Sequence, residues 1–142
     1  MERLNLKKIK GLIKKAQARS PLPEKVGAVL LHIKTGKYVL GYNHYEADNL
    51  LHAEHHAFIQ AADHFTWEES KDLHLFTCRR PCVRCTEKAI ALKVQGVYYS
   101  LEQPEMLHLE RFTENGIPHY NYLTRPYTVE RVLRGEHDNS LV

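Results

Sequence analysis

Cysteine is scarce in this chain and unevenly placed: three thiols, Cys78, Cys82 and Cys85, fall within eight positions of a 142-residue sequence. An odd, clustered set does not make a disulfide framework and points instead to a metal site in a reducing compartment. Long apolar runs are missing as well; none approaches the ~20 residues of a membrane-spanning helix. The opening residues, Met1-Glu2-Arg3-Leu4-Asn5-Leu6-Lys7-Lys8, are broken by charge too often to form the apolar core of a secretory leader. The expectation is therefore a cytoplasmic chain with no membrane partner. Charge of one sign is not in excess either: 20 Lys and Arg against 17 Asp and Glu leave +3, too little to name nucleic acid as a partner. No repeat, low-complexity tract or linker interrupts the pattern, and residues 1–142 read as a single domain large enough for its own core.

What is present alternates between helical and extended patterns. Residues 3 to 19 carry Leu6, Ile9, Ile13 and Ala16 at helical spacing, with Lys7, Lys8, Lys10, Lys14 and Lys15 on the remaining surface. Those lysines are either a patch for phosphate or RNA, or the solvated face of a packed helix. Val26 to Ile33 and Tyr38 to Tyr42 form a hairpin across Lys34-Thr35-Gly36-Lys37, and Asn43 to Leu50 reads as a polar loop. From His52 to about His64 the spacing is helical again, with Ala53, Ala57 and Ala61 on one stripe and Phe58 and Ile59 beside it. Phe65 to Lys71 is a connection. Leu73 to Thr77 alternates as a third strand. Val83 to Val94 follows as a helix with Ala89, Ile90 and Leu92 toward the core. Val97 to Ser100 is a fourth strand, Pro104 to about Thr113 a helix ended by Asn115-Gly116, and Ile117 to Leu123 a fifth strand. A helix between these last two strands requires them to run parallel. A short helical pattern, Val129 to Leu133, comes near the end.

Two short stretches carry chemistry: His52-Ala53-Glu54 and Pro81-Cys82-Val83-Arg84-Cys85, the first His and first Cys thirty residues apart. One imidazole and two thiolates are three zinc ligands, and three protein ligands leave a tetrahedral position open, as catalytic sites need. Zinc with two thiolates and a neutral imidazole is uncharged. Each stretch opens a helix, and the partial positive charge of a helix N-terminus favours the thiolate form of Cys82 and Cys85.

With Val26-Gly27-Ala28-Val29, Gly41-Tyr42-Asn43 and Val97-Tyr98-Tyr99, these stretches make the chain resemble the cytidine deaminase superfamily over nearly its whole length. The H-x-E … P-C-x-x-C pair is that family's signature. The resemblance implies a three-layer α/β/α domain with a five-stranded mixed sheet whose last two strands are parallel. It implies zinc held by His52, Cys82 and Cys85, with Glu54 carrying protons during hydrolytic release of ammonia. It also implies that Asn43 touches sugar or base, that the backbone of Ala53 and Cys82 lies near the reacting group, and that the protein is a homodimer or larger. Deoxycytidylate deaminases are favoured by Gly41-Tyr42-Asn43 and Cys85-Thr86-Glu87-Lys88-Ala89-Ile90. The chain departs from relatives in having Arg80 before Pro81 where many have Glu, Thr86-Glu87-Lys88 in place of small residues, and His44-Tyr45 after Asn43.

The expected substrate is a cytosine-type or purine-type base, nucleoside or nucleotide. A rival reading is tRNA adenosine deamination, with the N-terminal lysines as footprint. A rival of another class is a non-catalytic, zinc-stabilised binding module, its fourth ligand Cys78 or His56. Arg79 and Arg80 either contact a substrate phosphate or pair with a nearby acid. A metalloprotease is excluded, because Ala53 separates His52 from Glu54 and the H-E-x-x-H order is broken.

Overall fold

The computed structural model describes residues 4–79, 81–101 and 109–136. In chain order the elements are α1 (Leu6–Arg19), β1 (Gly27–Leu31), β2 (Tyr38–Tyr42), β3 (His44–Glu46), β4 (Asn49–Leu51), α2 (Ala53–His64) and α3 (Trp67–Ser70). Then follow β5 (His74–Thr77), α4 (Val83–Ala91), β6 (Gly96–Tyr99), α5 (Leu109–Glu114), β7 (His119–Asn121) and α6 (Pro126–Leu133). Five strands form one mixed sheet in the order β2-β1-β5-β6-β7. β1 is antiparallel to β2 and β5, while β5, β6 and β7 run parallel.

Alternation along β1 explains the layers. Ala28 and Leu30 face α2, α4 and α5, where Ala53, Ala57, Ala89, Leu109 and Phe112 meet them. Val29 and Leu31 face α1 and α6 and pack with Ile9, Ile13, Val129 and Leu133. The sheet is covered on both sides, giving the three-layer α/β/α arrangement. It also explains why β5, read as alternating, is buried at all four positions. α1 behaves as its periodicity demands: Leu6, Ile9, Ile13 and Ala16 are buried, and Lys7, Lys10 and Lys14 stay exposed.

Several expectations are revised. The stretch from Asn43 to Leu50 is not an open loop: β3 and β4 pair as a small hairpin, Tyr45 opposite Leu50, turning at Ala47 with φ 52°. The connection after Phe65 contains α3, started by a capping box in which Thr66 and Glu69 bond each other's backbone N–H. Ile59, expected beside the apolar stripe of α2, and Leu92, expected toward the core, are exposed; α4 ends at Ala91 and Leu92 lies at its C-cap. The expected helix from Pro104 is seen from Leu109; the part containing Met106 and Leu107 lies outside the described residues. No helix among the described residues is long and apolar enough to cross a membrane.

Gly41 sets how near α2 can come to the sheet. A methyl group there would overlap the carbonyl oxygen of Ala53 and come within 2.5 Å of the Ala57 nitrogen. The Ala53/Ala57 stripe against a glycine thus draws the start of α2 onto β2, and it is this start that carries His52 and Glu54.

At the opposite end of the sheet, His74 Nδ1 lies 2.9 Å from the Tyr98 hydroxyl. Burial holds its pKa down, to about 4, against a weaker opposing pull from Asp72. The ordinary imidazole value is about 6.5, so below that pH the unfolded chain binds a proton that the folded chain refuses. The stability this neutral ring supports is complete above about pH 6.5 and is lost as pH falls toward about 4, by up to about 3 kcal/mol. Urea midpoints measured at steps between pH 7 and pH 4 should fall accordingly, and a His74→Gln variant should show a shallower decline.

Candidate metal and catalytic site

Two helix N-termini build the site. His52 is the N-cap of α2 and makes no capping hydrogen bond with its side chain, so its ring is left to turn outward. Cys82 is the N-cap of α4, and its Sγ accepts the backbone N–H of Cys85 at 3.4 Å. His52 Nδ1 and Cys82 Sγ lie 3.3 Å apart, and the ligand atoms of His52, Cys82 and Cys85 all fall within 4.8 Å of one another. Zinc bonds of about 2.3 Å to sulfur and 2.0 Å to nitrogen give a tetrahedron with edges of roughly 3.5–3.8 Å, which this set can form with small adjustments.

The electrostatics of the three groups favour a cation. Cys85 is buried, and its thiol pKa is pushed up first by that burial, then by the charges of Glu54 and Cys82. Left alone, Cys85 resists ionisation; a divalent cation offsets that repulsion and makes its thiolate the stable form. The residues present therefore fit a zinc ion.

Glu54 stands in the first turn of α2 at only 3% exposure. Its Oε1 accepts the hydroxyl of Thr77, the last residue of β5, at 2.8 Å. A buried carboxylate costs several kcal/mol unless it is paired or bonded, so its place beside the ligand group needs a partner charge to explain it. Thr77 and Tyr122, whose hydroxyl donates to the Thr77 carbonyl at 3.0 Å, are site residues that sequence reading passes over. Neither belongs to a short motif. Tyr122 is also part of the core, at 5% exposure.

His52, Glu54 and Cys82 open into a cavity of about 1040 Å³, also bordered by Asn43, Leu50, Ala53, Arg79, Arg84 and Leu101. Asn43 is held on both sides of its amide: Oδ1 accepts from Val26 N at 2.8 Å and Nδ2 donates to the Glu24 carbonyl at 2.7 Å. Arg79 pairs with Glu24 at 2.9 Å, which realises the pairing reading for that residue. Arg80 lies outside the described residues. Neither residue considered as a fourth ligand joins the group: among the described residues it has three members. His56 takes the Tyr42 backbone N–H on Nδ1 and sits 3.2 Å from Gln60 through Nε2, and Cys78 Sγ accepts from Gly27 N at 3.4 Å.

Residues 5–101 match the family model described as the cytidine and deoxycytidylate deaminase zinc-binding region. The chain belongs to the cytidine and deoxycytidylate deaminase family. Its zinc-binding region contains the His52/Cys82/Cys85 group that could hold the metal. Solved deaminases share its fold. A dCMP deaminase from the cyanophage S-TIM5, in complex with dCMP and dUMP, has 20% identity and a TM-score of 0.66, over 81% of this chain and 93% of the phage protein. The Rib2 deaminase of Aspergillus oryzae has 20% identity and a TM-score of 0.62, over 94% of this chain and 92% of that one. A search of curated protein sequences finds no match.

Zinc loading should reach one ion per chain, read by metal analysis. Removal by a chelator should lower the melting temperature, with re-addition restoring it. Cys85→Ser should abolish stoichiometric zinc, because a serine hydroxyl is a far poorer ligand than a thiolate.

Proposed function

We propose that this chain is a zinc-dependent hydrolytic deaminase that removes the exocyclic amine of a cytosine-type or purine-type ring, with deoxycytidylate the favoured substrate type. The observation that supports it is the buried Glu54 carboxylate beside a three-membered ligand group that no described fourth side chain closes. A structural zinc site is normally closed by four protein ligands and has no use for such a carboxylate.

Zinc held by His52, Cys82 and Cys85 would supply the Lewis acidity that brings the pKa of a water toward neutrality. Glu54 does the proton work. It accepts a proton from the attacking water, passes it to the ring nitrogen beside the carbon under attack, and then aids protonation of the departing amine. Water adds at that carbon, the carbon–nitrogen bond breaks, and the products are a ring carbonyl and ammonia. Asn43, with one amide hydrogen not used by the Val26 and Glu24 contacts, is the reading's contact for sugar or base, and Ala53 borders the reacting group. Homo-oligomerisation and a cytoplasmic location go with this reading, supported by the family and by three unpaired cysteines.

A tRNA adenosine substrate has one observation in its favour. Lys7, Lys10 and Lys14 are exposed along one stripe of α1, and the next position of that stripe, Gln17, borders the cavity. Substrate binding that weakens steeply with added salt would favour this second reading, since phosphate contacts release counterions.

An ammonia-release screen of the zinc-loaded protein against cytosine, cytidine, deoxycytidylate, guanine, adenine and an anticodon stem-loop tests the assignment. Glu54→Ala should keep zinc and fold while activity falls by at least about a hundredfold, a loss at the scale of general acid–base catalysis. Unchanged turnover by that variant would leave only the reading of a zinc-stabilised binding module.

A further inference from the structure

The buried contact between Thr77 and Glu54 gives the two carboxylate oxygens different surroundings. Thr77 is fully buried, and its hydroxyl carries one proton, given to Glu54 Oε1 at 2.8 Å. The Cys85 thiol also reaches the Glu54 side chain, but as a thiolate holding zinc it has no proton to donate.

Thr77 is itself held on two sides. Ala28 of β1 is its partner across the antiparallel ladder. The parallel ladder with β6 ends one residue earlier, at Phe76 and Tyr98, so β6 does not cover the Thr77 carbonyl. The Tyr122 hydroxyl takes that carbonyl instead, at 3.0 Å. Tyr122 is fixed in turn by its backbone N–H on the Tyr99 carbonyl at 2.9 Å. A chain of contacts thus runs from the segment after β7, through the end of β5, to the carboxylate.

We propose that Thr77 is a positioning residue for Glu54: its hydroxyl anchors Oε1, so that Oε2 is the oxygen that exchanges protons with water and ring, and Tyr122 keeps Thr77 in place. This rests on the deaminase reading. A carboxylate that must accept a proton from one direction and deliver it in another works best when its plane is fixed and one oxygen is spared. An anchor on the other oxygen does this without supplying a competing proton acceptor.

Paired substitutions separate anchoring from packing. Thr77→Val keeps the shape of the side chain and loses the hydroxyl; Thr77→Ser keeps the hydroxyl and loses a methyl. Anchoring predicts that the Val variant of the zinc-loaded enzyme loses roughly ten- to a hundredfold in kcat, as second-shell changes commonly do. KM should stay within about threefold and zinc at one per chain, while the Ser variant retains most of the activity. Tyr122→Phe should lower kcat in the same direction and by less. Packing alone predicts the reverse order, with Val near wild type and Ser impaired, and that result would overturn the proposal. A crystal structure of the zinc-loaded Val variant supplies a readout independent of turnover: the carboxylate should leave its present place, and an unmoved carboxylate overturns the proposal. Should the wild-type chain release ammonia from no ring offered, the deaminase reading fails, and the carboxylate position still decides whether Thr77 anchors it.

Discussion

Glu54, Cys82 and Cys85 are three groups of the same prospective charge gathered at one point, and burial, with Glu54 and Cys82 beside it, makes the Cys85 thiol harder to ionise. Folding concentrates this cost where α2 and α4 both begin. Partial positive charge at the two helix starts offsets a little of it, at about the scale of 0.3–1 kcal/mol for each nearby anion. A divalent cation offsets the rest, and the order of strands puts it within reach. β5 feeds the segment that carries Cys82 from the central position of the sheet, and α2 is drawn against β2 by Gly41. The sheet thus acts as a ruler: two loops thirty residues apart in sequence are brought to one point because their helices pack on the same face.

What could be read from the sequence follows from how local the signal is. The helices with an apolar stripe and the long buried strands announce themselves, and Leu6, Ile9, Ile13 and Ala16 are buried where the spacing puts them. The β3–β4 hairpin is hidden because strands of three residues are too short to show alternation, and its exposed Tyr45 and Leu50 look like loop residues. α3 is one turn long and depends on a capping box rather than on an apolar face. Ile59 and Leu92 mislead because an apolar residue beside a stripe is as easily at its margin as inside it. In the site, the ligands are legible because zinc demands particular atom types at helix starts. Thr77 and Tyr122 are not, since a hydroxyl at a strand end becomes meaningful only when the chain brings Glu54 to it.

The rim of the cavity is a different kind of structure from its floor. Asn43 and Arg79 both face the cavity and both also hold the segment after α1 in place, Asn43 through Val26 and Glu24 and Arg79 through Glu24. An Asn held at both ends of its amide has a fixed orientation. The Arg79–Glu24 pair is solvent-exposed and so worth little in stability. It can therefore open at small cost.

The hairpin links that rim to the metal ligands. β4 ends at Leu51, directly before His52, and Leu50 borders the cavity. At the base of β3, the rings of Tyr42, His44 and His56 lie 4.6–4.8 Å apart between centroids, and His56 belongs to α2. A shift of the hairpin must therefore either break these ring contacts or carry the start of α2 with it. The hairpin that brings Leu50 to the edge of the cavity is thus mechanically joined to the helix that presents His52 and Glu54. His44 falls within this joint, so a change of side chain there acts on the start of α2 through the His56 ring as well as on the hairpin itself.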